Sequence, residues 1–458
     1  MARRFLIVSV VFCFIPALLS GYVHGTQSPQ KTPPQSPTKK PRPVPPKLSS
    51  HVILISISGL RSDYLSDQHK NEMALPTLRA LREKGALAEG VESVYPSLNC
   101  PAHATMATGM LPADHGITSD FPFDEQSGGH LKTRHSLASE IKSEPVWDAA
   151  QRAGLVTAAA GFPLTSGAKI NFNEPKTLAE PHGSDEKEKK KSLLINAVSA
   201  DQTSAMVAAS IIEKNHPNLL LVSFDSLDEV HHQYGPFTKE SATALARIDG
   251  LVRQIIDSCE RVGIIGETTF LIVAPYGSAK IESEFSPNVV LAKKKLLTRD
   301  EQGRIVSWQA VAQSLGGAAA IIIKDPGDEK TLREAEAAFK EIFEKPYSPI
   351  WRILPRRDVS RLGADARAAF YLDAAPLFVM SDRASGEVKS KSENRGATGY
   401  LPQRFEMRGT LIVSGKGIRP GAKVEYARLI DLAPTIARLL GCEMKATRGR
   451  IISEMLAQ

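Results

Sequence analysis

An apolar run at residues 51–57 (HVILISI) is the feature that most restricts the fold of this chain. Such a run is typical of a strand that is buried on both faces, and these strands belong to parallel sheets covered by helices. Further along, helical patterns alternate with short apolar strands, which predicts an α/β fold with a mainly parallel sheet and helices on both faces. Helices are predicted at 76–84, 147–153, 201–214, 240–262, 329–344 and 429–440, and further strands at 218–224, 268–274, 319–323, 377–380 and 410–413.

The first 49 residues have the composition of an export signal and a spacer. Arg3 and Arg4 precede an apolar run at 5–19 that is too short for a comfortable membrane span, which predicts a signal peptide at 1–25. The alternative is an uncleaved membrane anchor. Residues 26–49 are rich in Pro, Ser, Gln and Lys and predict an extended linker. We therefore expect an exported protein, periplasmic or extracellular, that associates with the membrane or envelope if the signal is not cleaved.

The remaining chain predicts one large α/β domain. This domain covers residues 50–445 and is followed by a C-terminal tail at 446–458. Residues from about 285 to 382 mix short elements with charge and predict a cap-like insertion over the sheet edge. The charged run DEKEKKK at 185–191 predicts a solvated loop.

Charge and cysteine content exclude two classes of protein. The net charge is +7, but residues 1–50 carry seven Lys or Arg and no acidic residue, which leaves 50 basic against 50 acidic residues in the rest. A neutral body does not predict nucleic-acid binding. Three cysteines lie beyond the predicted signal peptide, which is too few for a disulfide framework. They are Cys100, Cys259 and Cys442.

Several candidate functional residues follow predicted strands, where parallel sheets gather their chemistry. The residues in such places are Ser58, Asn99, Asp225, Asp228, Pro275 and Tyr276. Asp225, Asp228, His231 and His232 could form a single-metal site. Asp228 and His232 alone would supply two ligands, and two ligands seldom hold zinc against water. The alternative is that Asp228 and His232 bond each other and nearby backbone.

Five motifs occur in a fixed order along the chain. They are HVILISISGLRSDYL at 51–65, PSLNCPAH at 96–103, TGMLPADHGI at 108–117, DEVHHQYGP at 228–236 and DLAPT at 431–435. Together they resemble the nucleotide pyrophosphatase/phosphodiesterase family (type I phosphodiesterases) of the alkaline phosphatase superfamily. The resemblance implies an alkaline-phosphatase-like fold and a site in which two zinc ions and a threonine nucleophile cleave phosphodiesters.

The resemblance also implies that most functional positions are substituted here. The nucleophile position is Asn99, whose carboxamide cannot become an alkoxide, and the phosphate-contact position is Asp120, which would repel an anion. The other ligands of the first zinc correspond to Ser58, Pro275 and Tyr276. The ligands of the second zinc correspond to Asp228 and His232, with Thr398 as a poor third one.

These substitutions predict an exported, catalytically degenerate member of the family. By family the chain is a phosphoric diester hydrolase, and we expect an inactive one without a metal cofactor, which binds a small-molecule or protein ligand in the old active-site pocket. The alternative is a metal-dependent phosphodiesterase, pyrophosphatase or phosphatase with a rearranged site holding one or two zinc ions. A third interpretation is a structural envelope protein. Cys100 lies beside the nucleophile position, but an idle thiol is favoured over a catalytic one.

Overall fold

The computed structural model describes residues 46–66, 69, 73–176 and 185–457. The predicted signal peptide and residues 26–45 of the predicted linker lie outside the described residues. The strands are β1 (His51–Ile57), β2 (Ala86–Glu92), β3 (Phe123–Asp124), β4 (Gly129–His130), β5 (Thr157–Ala160), β6 (Phe172–Glu174), β7 (Leu219–Phe224), β8 (Thr268–Val273), β9 (Ala279–Phe285), β10 (Leu297–Arg299), β11 (Ile305–Trp308), β12 (Ala310–Leu315), β13 (Ala318–Ile323), β14 (Ile350–Pro355), β15 (Ala368–Ala374), β16 (Leu377–Met380), β17 (Lys389–Lys391), β18 (Gly396–Ala397), β19 (Gly409–Gly415), β20 (Lys423–Val424) and β21 (Ala427–Arg428). The helices are α1 (Pro76–Lys84), α2 (Asn99–Thr108), α3 (Pro112–His115), α4 (Val146–Arg152), α5 (Glu186–Asn215), α6 (Ser226–Tyr234), α7 (Lys239–Arg261), α8 (Pro287–Lys293), α9 (Glu329–Phe343), α10 (Arg356–Leu362) and α11 (Leu432–Leu440).

The central sheet has nine strands in the order β20-β2-β19-β8-β1-β7-β5-β6, with β21 also paired to β2. Strand β1 runs parallel to both neighbours, and β7, β5 and β6 continue in the same direction. Strand β19 runs against its neighbours β2 and β8. The carboxyl ends of β1, β7 and β8 therefore meet at one edge, and the predicted α/β fold with a mainly parallel sheet is confirmed.

Alternate residues of β1 divide the main core into two layers. Val52 and Leu54 join a cluster built with α2, α4 and α11 on one face of the sheet. Ile53 and Ile55 join a second cluster built with α1, α5, α6 and α7 on the other face. Because strand side chains alternate between faces, a strand that is apolar throughout needs helices on both sides, which is what the 51–57 run predicted.

Each predicted helix occurs, but α5 is longer than predicted. The prediction of a solvated loop at 185–191 is therefore wrong. The helix begins at Glu186, and the side chain of Asp185 accepts a hydrogen bond of 2.8 Å from the backbone N–H of Glu188. Lys and Glu are good helix formers and aspartate is a strong N-cap, so this charged run forms the first turns of the helix.

The predicted insertion at 285–382 contains a four-stranded antiparallel sheet, β12-β13-β15-β14. Leu315 and Ala318 from this sheet share a hydrophobic cluster with Tyr95 and Leu98, which directly precede α2. These contacts hold the insertion against residues 95–98, which lead into α2.

Both ends of the described chain pack on the main domain. The backbone N–H groups of Leu48 and Ser49 donate to the carbonyl of Leu439 at 2.8 and 3.0 Å. Near the C-terminus, Ile452 and Met455 are buried. Among the helices in the described ranges, none is long and apolar enough to cross a bilayer.

Candidate functional site

The carboxyl edge of the sheet brings several of the sequence-predicted residues together. Ser58 follows β1 and Tyr276 follows β8, while Asp225 follows β7 and Asp228 lies in the first turn of α6. Asn99 is the first residue of α2, which enters the same edge. These five side chains form one hydrogen-bonded group, which we call the polar cluster.

Asp225 is the best-bonded carboxylate of the polar cluster. Its Oδ1 accepts from Ser58 Oγ at 2.6 Å and from Ser223 Oγ at 3.3 Å. Its Oδ2 accepts from Asn99 Nδ2 at 3.3 Å and from the ammonium of Lys176. Burial opposes ionisation, but the Lys176 charge and these hydrogen bonds outweigh it and hold the pKa of Asp225 well below its usual range. Asp225 is therefore an ionised carboxylate whose charge is balanced by Lys176 and whose two oxygens both accept hydrogen bonds.

Asn99 contacts three other side chains of the polar cluster. Its Nδ2 lies 3.2 Å from Tyr276 Oη and 3.4 Å from Ser58 Oγ, besides its contact with Asp225. The backbone carbonyl of Asn99 is 2.9 Å from Nδ1 of the buried His103. A carboxamide held in this way is a hydrogen-bond donor, and it has no ionisable hydroxyl with which to attack phosphorus.

Asp228 is bonded much less completely. Tyr276 Oη donates to Asp228 Oδ2 at 3.2 Å, and His232 Nε2 lies 3.7 Å from the same oxygen. Asp228 Oδ1 is buried without a hydrogen-bond partner. Burial raises the pKa of Asp228 to about 6, with His232 opposing and Asp225 reinforcing the shift. The structure thus brings Asp228 and His232 together, and the other ring nitrogen of His232 lies 3.1 Å from the carbonyl oxygen of Gly396.

Two of the substituted positions contribute no polar side-chain contact to the polar cluster. Pro275 is buried two residues after the end of β8 and has no polar side-chain atom. Thr398 is also buried, and its carbonyl accepts from the Gly317 N–H at 2.7 Å. Among the hydrogen bonds of the described residues, none joins the Thr398 hydroxyl to the polar cluster.

Asp120 lies at the N-terminus of α2 and is paired within the chain. Its Oδ1 accepts from the backbone N–H of Cys100 at 2.7 Å, and its Oδ2 accepts from Arg134 Nη2 at 3.0 Å. The charge at the predicted phosphate-contact position is therefore balanced by an arginine. Burial raises the pKa of the Cys100 thiol to about 12, which keeps it protonated and supports the idle-thiol interpretation.

The polar cluster does not fit a two-zinc centre. Among the residues that the structure describes, no group of three or more His, Cys, Asp or Glu side chains is placed to hold a metal ion. Three residues could have supplied the missing ligand, but each already has a side-chain partner, although Nδ1 of His231 is buried without one. Asp225 pairs with Lys176, Asp120 pairs with Arg134, and His231 Nε2 lies 2.7 Å from Tyr64 Oη. Asp228 and His232 remain as two ligands, where zinc sites need three or four.

Lys176, Arg134 and Asp201 are the functional neighbours that sequence reasoning missed. Asp201 accepts the backbone N–H groups of Asp225 and Ser226 at 2.9 and 3.0 Å and so fixes the start of α6. Lys176 lies just beyond the carboxyl end of β6. A charged residue directly after a strand is a signal of the sheet edge that could be read from the sequence. However, β6 has only three residues and carries no strong strand pattern.

A cavity of about 390 Å³ opens next to Leu98 and Asp120, and the side chains of the polar cluster do not line it. Leu315 of the insertion also lines this cavity. Phe121 and Leu131 add exposed apolar surface, at 38% and 45% exposure. A mostly apolar cleft with a few charged groups is the usual form of a small-molecule site.

Comparison with known proteins supports one family. The model of the type I phosphodiesterase / nucleotide pyrophosphatase family matches residues 52–400, which is more than half of the chain. Ectonucleotide pyrophosphatase/phosphodiesterase family member 1 from Homo sapiens is 26% identical over 228 residues, which are 49% of this chain and 23% of that protein. Family member 7 from Mus musculus is 22% identical over 404 residues, covering 85% of this chain and 83% of that protein.

Solved structures show the same fold. Human ectonucleotide pyrophosphatase/phosphodiesterase 5 matches with a TM-score of 0.67 at 18% identity, over 89% of this chain and 100% of that one. An inactive threonine-to-alanine variant of the murine protein, in complex with AMP, matches with a TM-score of 0.67 at 16% identity over 89% of this chain and 100% of that one. The order of motifs, the sheet and the family match agree, and the chain belongs to the type I phosphodiesterase / nucleotide pyrophosphatase family.

Proposed function

We propose that this chain is an exported, catalytically degenerate phosphodiesterase that binds a small-molecule or protein ligand beside the former catalytic position. One observation carries the proposal: the side chains of the polar cluster are engaged with one another and with Lys176. The family reaction needs an attacking oxygen and a strong positive field at phosphorus. Here the attacking position is an amide donor, and Lys176 is already paired with Asp225.

The cavity beside Asp120 supports ligand binding at this place. Its volume is within the range of small-molecule sites, and its apolar rim includes Phe121 and Leu131. His130 and Asp382 face each other at 3.2 Å on the same wall, and the carboxylate raises the pKa of His130 despite its burial. Together these groups present an apolar surface beside a small number of fixed charges, which suits a ligand with a flat apolar body and a polar end.

Export is part of the proposal and is supported by the sequence and by the relatives. Those relatives are ectonucleotide pyrophosphatase/phosphodiesterases. The N-terminal signal and the Pro-rich spacer would place the α/β domain outside the membrane, at the periplasm or cell exterior. Association with the envelope through an uncleaved signal belongs to the same proposal.

The first experiment measures metal content and hydrolysis on the purified wild-type chain. After dialysis against trace zinc, we expect less than about one-tenth of a zinc ion per chain by mass spectrometry of the metal, and no cleavage of bis(p-nitrophenyl) phosphate. A venom phosphodiesterase assayed in parallel is the positive control. One or two zinc ions per chain together with turnover would contradict the degenerate assignment.

A second experiment tests the cavity. AMP, the nucleotide held in the complex of the murine protein, serves as the probe in isothermal titration calorimetry. Leu131→Asp places a charge in the cavity and should weaken AMP binding at least about tenfold. Leu193→Asp is the matched control, because Leu193 is 37% exposed on α5, compared with 45% for Leu131. Equal affinities for the two variants would place the ligand elsewhere.

One observation favours a second candidate function. Asp228 Oδ1 is buried without a hydrogen-bond partner, and His232 lies beside the other oxygen of the same carboxylate. A single metal ion with an additional ligand from a substrate would use both groups, and the chain would then be a rearranged metal-dependent hydrolase. Hydrolysis assayed with zinc present decides between the two candidates, because the substrate that would complete the ligands of the metal is then in the assay.

A further inference from the structure

The lysine Lys176 is buried at the carboxyl edge of the sheet, where it contacts Asp225 of the polar cluster. The side chain of Lys176 is 9% exposed, and its ammonium donates to Asp225 Oδ2. The lysine is carried by the chain just after β6, two strands away from β7, which positions Asp225. Because β6, β5 and β7 are parallel, all three deliver their carboxyl ends to this edge.

A carboxylate in such a place needs a positive charge. Asp225 is 15% exposed, and its hydrogen-bond donors other than Lys176 are neutral: Ser58, Ser223 and Asn99. Neutral donors alone rarely compensate for the desolvation of a carboxylate, which in proteins is met by a cation from a side chain or a metal. Lysine supplies a compact charge with three donors on a flexible stem, so it can occupy a position that a metal ion would otherwise fill.

We propose that Lys176 is the resident cation of this site: its ammonium neutralises Asp225 in place of a metal ion and closes the polar cluster without one. The inference deepens the proposed function and rests on it, because it gives a structural reason why the site can persist without zinc. The closest alternative is an incidental ion pair, in which lysine and aspartate contribute to stability independently.

A double-mutant cycle separates these two cases. The variants are Lys176→Met, Asp225→Asn and the two combined, and the readout is the melting temperature of the full chain. Each single change leaves one buried charge without its partner, and we expect each to lower the melting temperature by roughly 5 °C. The combined variant has neither charge and should melt closer to the wild type than either single variant.

The cycle has a matched control and a clear contrary result. Lys169→Met makes the same substitution at an exposed lysine seven residues earlier and should leave the melting temperature within about 1 °C. If a single variant does not accumulate as soluble protein, the soluble yield of the combined variant replaces the melting temperature. A combined loss equal to the sum of the single losses would show that the two charges act independently and would overturn the proposal.

The proposed function is decided separately, by the metal content and hydrolysis of the wild type, so the failure of one can be told from the failure of the other.

Discussion

Two carboxylates of the polar cluster lie three residues apart at the start of α6 and have opposite environments. Asp225 accepts four hydrogen bonds, including one from an ammonium. Asp228 accepts one, from Tyr276, and its second oxygen is buried without a partner. Their pKa values follow: that of Asp225 is held well below its usual range, while burial raises that of Asp228 to about 6.

The difference lies in where the positive charge near each carboxylate comes from. At Asp225 a side chain of the protein supplies the positive charge, so the surroundings are complete. At Asp228 only His232 is available, and it is 36% exposed and 3.7 Å away. Asp228 therefore has unused hydrogen-bond acceptor capacity, whereas Asp225 has none.

Among the substitutions that test this difference between the two carboxylates, Asp225→Ala should have the largest effect on stability. This change leaves the Lys176 ammonium buried without its carboxylate and removes an acceptor from Ser58 and Asn99. We expect the free energy of unfolding to fall by about 3–5 kcal/mol, measured by urea denaturation at neutral pH.

The control is an aspartate in an exposed ion pair. Asp257, 36% exposed, pairs with Arg253 on the surface of α7, and Asp257→Ala should cost about 0–1 kcal/mol. If Asp225→Ala costs no more than this control, the carboxylate is not the organising group of the polar cluster.

Asp228→Asn should have the opposite sign. The pKa of Asp228 in the folded protein, about 6, exceeds the ordinary value of 3.8, so the folded state holds the proton more tightly than the unfolded state. The ionised group therefore costs stability, and this cost develops as pH rises through roughly 4 to 6 and is complete above that range.

Asparagine cannot ionise, so Asp228→Asn should stabilise the protein at about pH 7.5 by roughly 1–3 kcal/mol and have little effect near pH 4. Urea denaturation of both proteins at the two pH values checks this. A loss of stability at pH 7.5, where Asp228 is ionised, would show that its charge is needed in the folded state.

The sequence predicted the frame of this site better than its chemistry. The run at 51–57, the strands after it and the motif order predicted the sheet, because patterns of burial depend on residues close in the chain. The same reasoning placed Ser58, Asn99 and Tyr276 near one edge, since the carboxyl ends of parallel strands coincide.

The partners of the charged groups could not be predicted in this way. Lys176 and Arg134 come from short segments without a periodic pattern, and their pairing with Asp225 and Asp120 depends on the tertiary fold. Asp120 shows the consequence: the sequence predicted a carboxylate that repels anions, whereas the structure shows one that is neutralised by an arginine.

Tyr276→Phe tests the link between the two carboxylates with a smaller effect. Burial and the charges of Asp228 and Asp225 raise the pKa of Tyr276 well above its usual range, so its hydroxyl stays protonated and donates to Asp228. Removing the hydroxyl should lower the free energy of unfolding by about 1 kcal/mol. Tyr234→Phe, at a residue that is 44% exposed, is the control and should be neutral. Equal stabilities of the two variants would show that the hydroxyl bridge is unimportant.

The smallest expected effect concerns activity. Asn99→Thr restores the hydroxyl of the family nucleophile, yet it leaves Ser58, Pro275 and Tyr276 at the other ligand positions of the same zinc. Without a metal ion to lower its pKa, a threonine hydroxyl remains a weak nucleophile, and the Lys176 ammonium stays committed to Asp225. We expect no hydrolysis of bis(p-nitrophenyl) phosphate above the blank with or without added zinc, whereas substantial turnover by this single variant would mean that the rest of the edge still supports catalysis.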